Sequence, residues 1–147
     1  MTRPSHPPGS VLAIDHVGLA VADLDAAIAR HTLWLGHGPV AREAVEPDGI
    51  VAVLFEVADA RVELLASRRP DSTVARFLER RGEGLHHLAY RVEDVSLSLR
   101  AWEAWGATLI DRQPRPGAGD RLVGFVHPRG AGGVLVELCQ ELPGAGR

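Results

Sequence analysis

Apolar and polar residues alternate from Val11 to Val21, the period-two pattern of a half-buried strand. Asp23 then offers an N-cap. Leu24, Ala27 and Ile28 follow at helical spacing, the helix runs to Leu35, and Gly36 stops it. Val40 to Val45, Ile50 to Val57 and Arg61 to Leu65 read as three short strands. Turn-forming triplets, Pro47-Asp48-Gly49 and Ala58-Asp59-Ala60, separate them. Asp71-Ser72 caps a further helix with Val74, Phe77 and Leu78 on one side, which Gly82 closes.

The same order then returns. Leu85 to Val92 reads as a strand. Asp94 caps a helix carrying Val95, Leu99 and Trp102, with Gly106 after it. Ala107 to Ile110, Leu122 to Val126 and Gly133 to Cys139 read as three more strands. Placing His16 on His87, an offset of 87 − 16 = 71, also places Val21 on Val92 and Asp23 on Asp94. Near the end of each half, Val62-Glu63-Leu64 matches Val136-Glu137-Leu138 at an offset of 137 − 63 = 74. Agreement at both ends of the unit predicts two copies of one supersecondary unit, related by a local twofold. The expected organisation is a disordered tail over 1–10 and one domain over 11–142. Its parts are module one over 11–67, a connector helix over 70–83 and module two over 84–142.

Alternation also assigns faces. His16, Gly18 and Ala20 share one face of the first strand, and the small residues are expected to leave space before the imidazole. His87 shares a face with Ala89 and Arg91, while Glu63 and Glu137 lie opposite their aliphatic neighbours. The aliphatic rows should pack on the two helices and the other face should line a cavity. That cavity receives one His and one Glu from each half. Two imidazoles and two carboxylates suit a divalent ion such as zinc, nickel, cobalt, manganese or iron(II). Taken singly, each His is an ordinary strand residue and each Glu an ordinary surface residue; the repeat ties the four together.

Composition narrows the chemistry. The chain has 147 residues and a net charge of −3, which disfavours a non-specific phosphate-backbone binder. No apolar run reaches the roughly 20 residues of a membrane-spanning helix. All 16 basic residues are arginine, so Schiff-base and lysine general-base chemistry are excluded. Cys139 is the single cysteine, which excludes an internal disulfide and a multi-cysteine zinc site. The opening residues, MTRPSHPPGS, lack the apolar core of a signal peptide, so a cytoplasmic protein is expected.

Several stretches carry a resemblance to a known family: Ile14 to Val21, Asp71 to Leu78, Gly82 to Ala89, Pro114 to Gly119, and His127 through Gln140. They resemble the vicinal-oxygen-chelate superfamily and, within it, the methylmalonyl-CoA epimerases. The metal tetrad alone is shared with glyoxalase I; the connector helix, the Pro-Gly loop and the last strand favour the epimerase family. The resemblance implies an α+β fold of two βαβββ modules forming a cupped mixed sheet around a metal held by His16, Glu63, His87 and Glu137. It implies cobalt first, with nickel, zinc or manganese as alternatives, an acyl-CoA substrate and a homodimer. The implied reaction interconverts (R)- and (S)-methylmalonyl-CoA by proton transfer at C2. Glu137 is the first choice as ligand and proton carrier. Some relatives have Gln at the position of Glu63 and a Glu where this chain has Ala52; Glu63 is therefore expected to serve as the second acid–base group. The alternatives are a glyoxalase I-type lyase, an extradiol-type dioxygenase, disfavoured by the fourth ligand, and a drug-binding module of the same fold that needs no catalytic metal.

Among other residues, His86 is expected to be packed or hydrogen-bonded on the face away from His87. His127 reads as a turn residue, the Pro114 to Gly119 loop as a possible substrate contact, and Cys139 as a buried filler. Arg68, Arg69, Arg80, Arg81, Arg115 and Arg121 are surface cations able to meet coenzyme A phosphates.

Overall fold

The computed structural model describes residues 6–142. Among them are eight strands and three helices, β1 (Val11–Ala20), α1 (Leu24–Leu35), β2 (Ala41–Val45), β3 (Ile50–Val57), β4 (Ala60–Ser67), α2 (Thr73–Arg81), β5 (Gly84–Val92), α3 (Val95–Ala104), β6 (Arg115–Gly117), β7 (Arg121–Val126) and β8 (Val136–Glu141). The chain divides into two compact units, Asp15–His87 and a second made of Met1–Ile14 with Leu88–Arg147. The division falls inside β1 and β5. The first five residues of the expected tail lie outside the described residues. Further along, Gly9 accepts a hydrogen bond from the Trp102 indole at 3.0 Å.

The helices begin where the caps predict. Asp23 accepts from the Ala26 N–H at 3.0 Å, and Asp94 accepts from the Leu97 N–H at 3.0 Å. The Ser72 hydroxyl does the same for the Ala75 N–H at 2.9 Å. In the unit built on Asp15–His87 the strand order is β2-β3-β4-β1, with β1 parallel to β4 and the other pairs antiparallel. In the other unit it is β5-β8-β7-β6, with β5 parallel to β8 and the remaining pairs antiparallel. Both four-stranded sets therefore mix parallel and antiparallel pairs in the same internal topology, which is the βαβββ repeat read from the sequence.

Two expectations are corrected. Ala107 to Ile110 is not a strand; it makes a single bridge, Leu109 to Val126, and then both Ile110 and Asp111 N–H groups donate to the Phe125 carbonyl. The fourth strand of this module comes from the Pro-Gly loop instead, where Arg115–Gly117 pairs with β7. Its last strand starts at Val136, not Gly133, because Gly130, Gly132 and Gly133 all hold positive φ, which ends extended pairing.

Each unit buries an aliphatic cluster beneath its own helix. Val53, Phe55 and Leu64 pack with Ala27 of α1, and Val126, Val136 and Leu138 pack with Val95 and Leu99 of α3. Leu99 reaches so far into its sheet that a Cβ on Gly124 would lie 2.8 Å from its Cδ1. Register equates Gly124 with Val53 of the first module, so strand and helix have divided the same volume differently.

The opposite face differs from expectation in the first unit. Ala20, Ile50, Ala52 and Leu65 do not line open space; Val74, Phe77 and Leu78 of α2 pack against them. Ala52 is 5% exposed within this apolar cluster.

Candidate metal centre

β1 and β5 place His16 and His87 in the unit Asp15–His87, buried to 6% and 5% exposure. Their Nε2 atoms face each other at 2.9 Å, with the rings edge to face. The space expected beside Gly18 is taken by the second imidazole: a Cβ on Gly18 would meet the His87 ring at 2.2 Å. Glycine is required at this position to admit the pair. Glu63 reaches the same point from β4, its Oε1 3.7 Å from His87 Nε2 and 4.0 Å from His16 Nε2.

The donor set fits a divalent first-row ion. Ligand atoms at about 2.0–2.2 Å from one ion lie roughly 3–4 Å from each other, the range seen among these two nitrogens and one oxygen. The tautomer of His16 fits as well. Its Nδ1 lies 2.7 Å from Asp15 Oδ2, and an ionised carboxylate only accepts, so Nδ1 carries the proton and Nε2 presents a lone pair.

Glu137 lies in the other unit, on β8, at 9% exposure. Its register repeats that of Glu63. Glu63 pairs with Gly18, two residues after His16, and Glu137 pairs with Ala89, two residues after His87. Across the next strand Glu63 faces Leu54 and Glu137 faces Phe125. The Arg115 guanidinium stacks over the Phe125 ring at 4.9 Å and pairs with Asp111 at 3.4 Å.

Two residues of this region, Asp15 and Arg61, were missed as contributors from the sequence, while His86 is packed and hydrogen-bonded as expected, though toward His87. Asp15, with its carboxylate on His16, is 1% exposed, and Arg61 Nη2 lies 3.4 Å from both of its oxygens. His86 Nδ1 lies 3.0 Å from His87 Nδ1, and the His86 ring packs on Phe77 at a centroid distance of 5.0 Å. The only sequence signal was adjacency: Asp15-His16 in one half, His86-His87 in the other.

The remaining candidates have local roles. His127 Nδ1 accepts from the Arg129 N–H at 2.9 Å, a turn contact. Cys139 is buried, with its thiol toward the Tyr90 carbonyl at 3.5 Å. Arg68 pairs with Glu46, Arg69 with Asp71 at 2.9 Å and Arg121 with Glu141 at 3.6 Å, while Arg81 lies over the Phe77 ring. No described helix is long and apolar enough to cross a membrane.

Residues 15–125 match the Glyoxalase/Bleomycin resistance protein/Dioxygenase superfamily. The ethylmalonyl-CoA/methylmalonyl-CoA epimerase of Cereibacter sphaeroides is 37% identical over 130 residues, covering 86% of this chain and 96% of that protein. The crystal structure of methylmalonyl-CoA epimerase from Mycobacterium tuberculosis superposes with a TM-score of 0.85 at 37% identity, over 97% of this chain and 94% of that one. A methylmalonyl-CoA epimerase solved in complex with methylmalonyl-CoA and NH4+ superposes with a TM-score of 0.83 at 29% identity, over 94% of this chain and 100% of that one.

Proposed function

The chain belongs to the glyoxalase/bleomycin resistance protein/dioxygenase superfamily and, within it, to the methylmalonyl-CoA epimerase family, and from that premise we propose that it is an isomerase interconverting (R)- and (S)-methylmalonyl-CoA. The observation that carries the chemistry is the facing Nε2 pair of His16 and His87 at 2.9 Å with the Glu63 carboxylate beside both. Glu137 joins this set in the proposal. Its support is the repeated register, which gives each module one imidazole and one carboxylate at matching positions.

His16, His87, Glu63 and Glu137 would hold a divalent ion, cobalt first, with nickel, zinc or manganese as alternatives. Such an ion would supply positive charge beside the thioester oxygen, which gathers negative charge as C2 loses its proton. The chain supplies the proton carriers. One glutamate, ionised, takes the C2 proton from one face and becomes a carboxylic acid; the electron pair of the C–H bond moves into the enolate. The other glutamate, protonated, returns a proton to the opposite face and becomes ionised. After one turnover the two have exchanged states, so the reverse reaction needs no resetting. Glu63 fills the role of the acid absent at Ala52. A homodimer working in the cytoplasm is part of the proposal, checked by sedimentation and cell fractionation.

The test supplies one epimer of methylmalonyl-CoA to the metal-loaded protein and reads the other with a mutase specific for it. Metal-dependent appearance of the second epimer is expected. No conversion with cobalt, nickel, zinc or manganese, together with turnover of the glutathione–methylglyoxal hemithioacetal, would replace the epimerase by a glyoxalase I-type lyase.

A further inference from the structure

We propose that Asp15, pinned by Arg61, is a positioning residue that fixes the tautomer of His16, and that His86 does the corresponding work for His87. The inference rests on the reading of His16 and His87 as metal ligands. Behind His16 the Asp15 carboxylate is 1% exposed and sits 2.7 Å from Nδ1. Arg61 Nη2, 3.4 Å from both carboxylate oxygens, holds that carboxylate in place. The Nδ1–H therefore points backward and the lone pair of Nε2 points at His87. A carboxylate behind a ligand imidazole both orients the ring and makes its other nitrogen a better donor.

Behind His87 the partner is another imidazole. For Nε2 of His87 to present its lone pair, its Nδ1 must carry the proton, and the atom 3.0 Å away that accepts it is Nδ1 of His86. His86 is then the Nε2–H tautomer, its ring held against Phe77. The two ligands are thus backed unequally, one by an anion and one by a neutral ring. The stronger donor is His16, and loss of Asp15 should weaken metal binding more than loss of His86.

Long-range proton–nitrogen NMR reads the tautomers directly. In the metal-free protein His16 should show a protonated Nδ1 and a bare Nε2 that accepts from His87 Nε2–H; in zinc-loaded protein both His16 and His87 should show a protonated Nδ1. In Asp15→Leu the His16 pattern should shift toward Nε2–H, while Asp15→Asn, whose amide oxygen still accepts, should largely keep it. In parallel, cobalt affinity measured by chelator competition should fall roughly 10–100-fold in Asp15→Leu, less in Asp15→Asn and Arg61→Gln, and less in His86→Leu than in Asp15→Leu. Circular dichroism of each variant checks that the fold persists; should Asp15→Leu not fold, the wild-type tautomer and the Asp15→Asn and Arg61→Gln affinities decide. An Nε2–H tautomer of His16 in the wild type, or cobalt affinity unchanged in the variants that fold, overturns the proposal. The two readings fail separately: a wild-type protein with the stated His16 tautomer that binds no divalent ion contradicts the metal centre and leaves the positioning of His16 intact.

Discussion

In the first module a carboxylate, Asp15, stands 2.7 Å behind the candidate ligand histidine; at the matching place in the second module stands His86, 3.0 Å from His87. The inner faces differ as well. In the first, α2 lays Val74, Phe77 and Leu78 over Ala20, Ala52 and Leu65. In the second, the cluster of Ala89, Val123, Cys139 and Phe125 is built from strand residues alone. What recurs in both is the strand topology, the aspartate N-caps, one histidine and one glutamate at the same register. A duplicated unit needs its fold twice, and the proposal asks one histidine and one glutamate of each copy. The residues behind the ligands and over the sheet have had room to differ.

That comparison can be broken at the acid–base pair first. Glu63→Gln and Glu137→Gln each keep an oxygen able to serve as the proposed ligand and remove a proposed proton carrier. Each should lower epimerisation by about 10²–10⁴-fold in the mutase-coupled assay. A Glu63→Gln variant with full turnover would leave the second module alone responsible for proton transfer.

Packing gives the next effect. Leu99→Ala removes a fully buried side chain from beneath the second sheet and should cost about 2–5 kcal/mol in urea unfolding. Gly124→Ala tests the same volume from the other side, since the new Cβ would lie 2.8 Å from Leu99 Cδ1; a cost of about 1–3 kcal/mol is expected. Val53→Ala, at the matching strand position of the first module, should leave a cavity rather than a clash. The smallest effect belongs to the caps. Asp23→Ala and Asp94→Ala should each cost about 1 kcal/mol, and equal values would show that the repeat extends to helix initiation.

The sequence made the repeated parts legible because their signals are local. Caps at Asp23, Ser72 and Asp94 set the helix starts, period-two alternation set β1, and turn residues on either side bounded β3. The pairing of one His and one Glu per half followed from alternation and the offset, and His16, His87 and Glu63 do lie together in one unit. The edge strand of the second module was not legible. Arg115-Pro116-Gly117 carries turn residues, and its strand geometry comes from pairing with β7, a tertiary effect. Asp15 was missed for a related reason: alternation puts it on the face away from His16, while a short side chain one residue along can still reach Nδ1. The roof that α2 makes over Ala52 was hidden because a connector's docking face depends on which sheet it meets.

The central claim is that each module contributes one proton carrier, serving opposite faces of C2. The most direct test is proton NMR of separate (R)- and (S)-methylmalonyl-CoA samples in deuterium oxide with metal-loaded wild type, Glu63→Gln and Glu137→Gln. The wild type should exchange the C2 proton of both epimers and invert them, and metal-stripped protein should do neither. Each variant should exchange the proton of a single epimer without inverting it, and the two variants should choose opposite epimers. Exchange of the same epimer by both variants, or inversion at the wild-type rate by either, would contradict the claim.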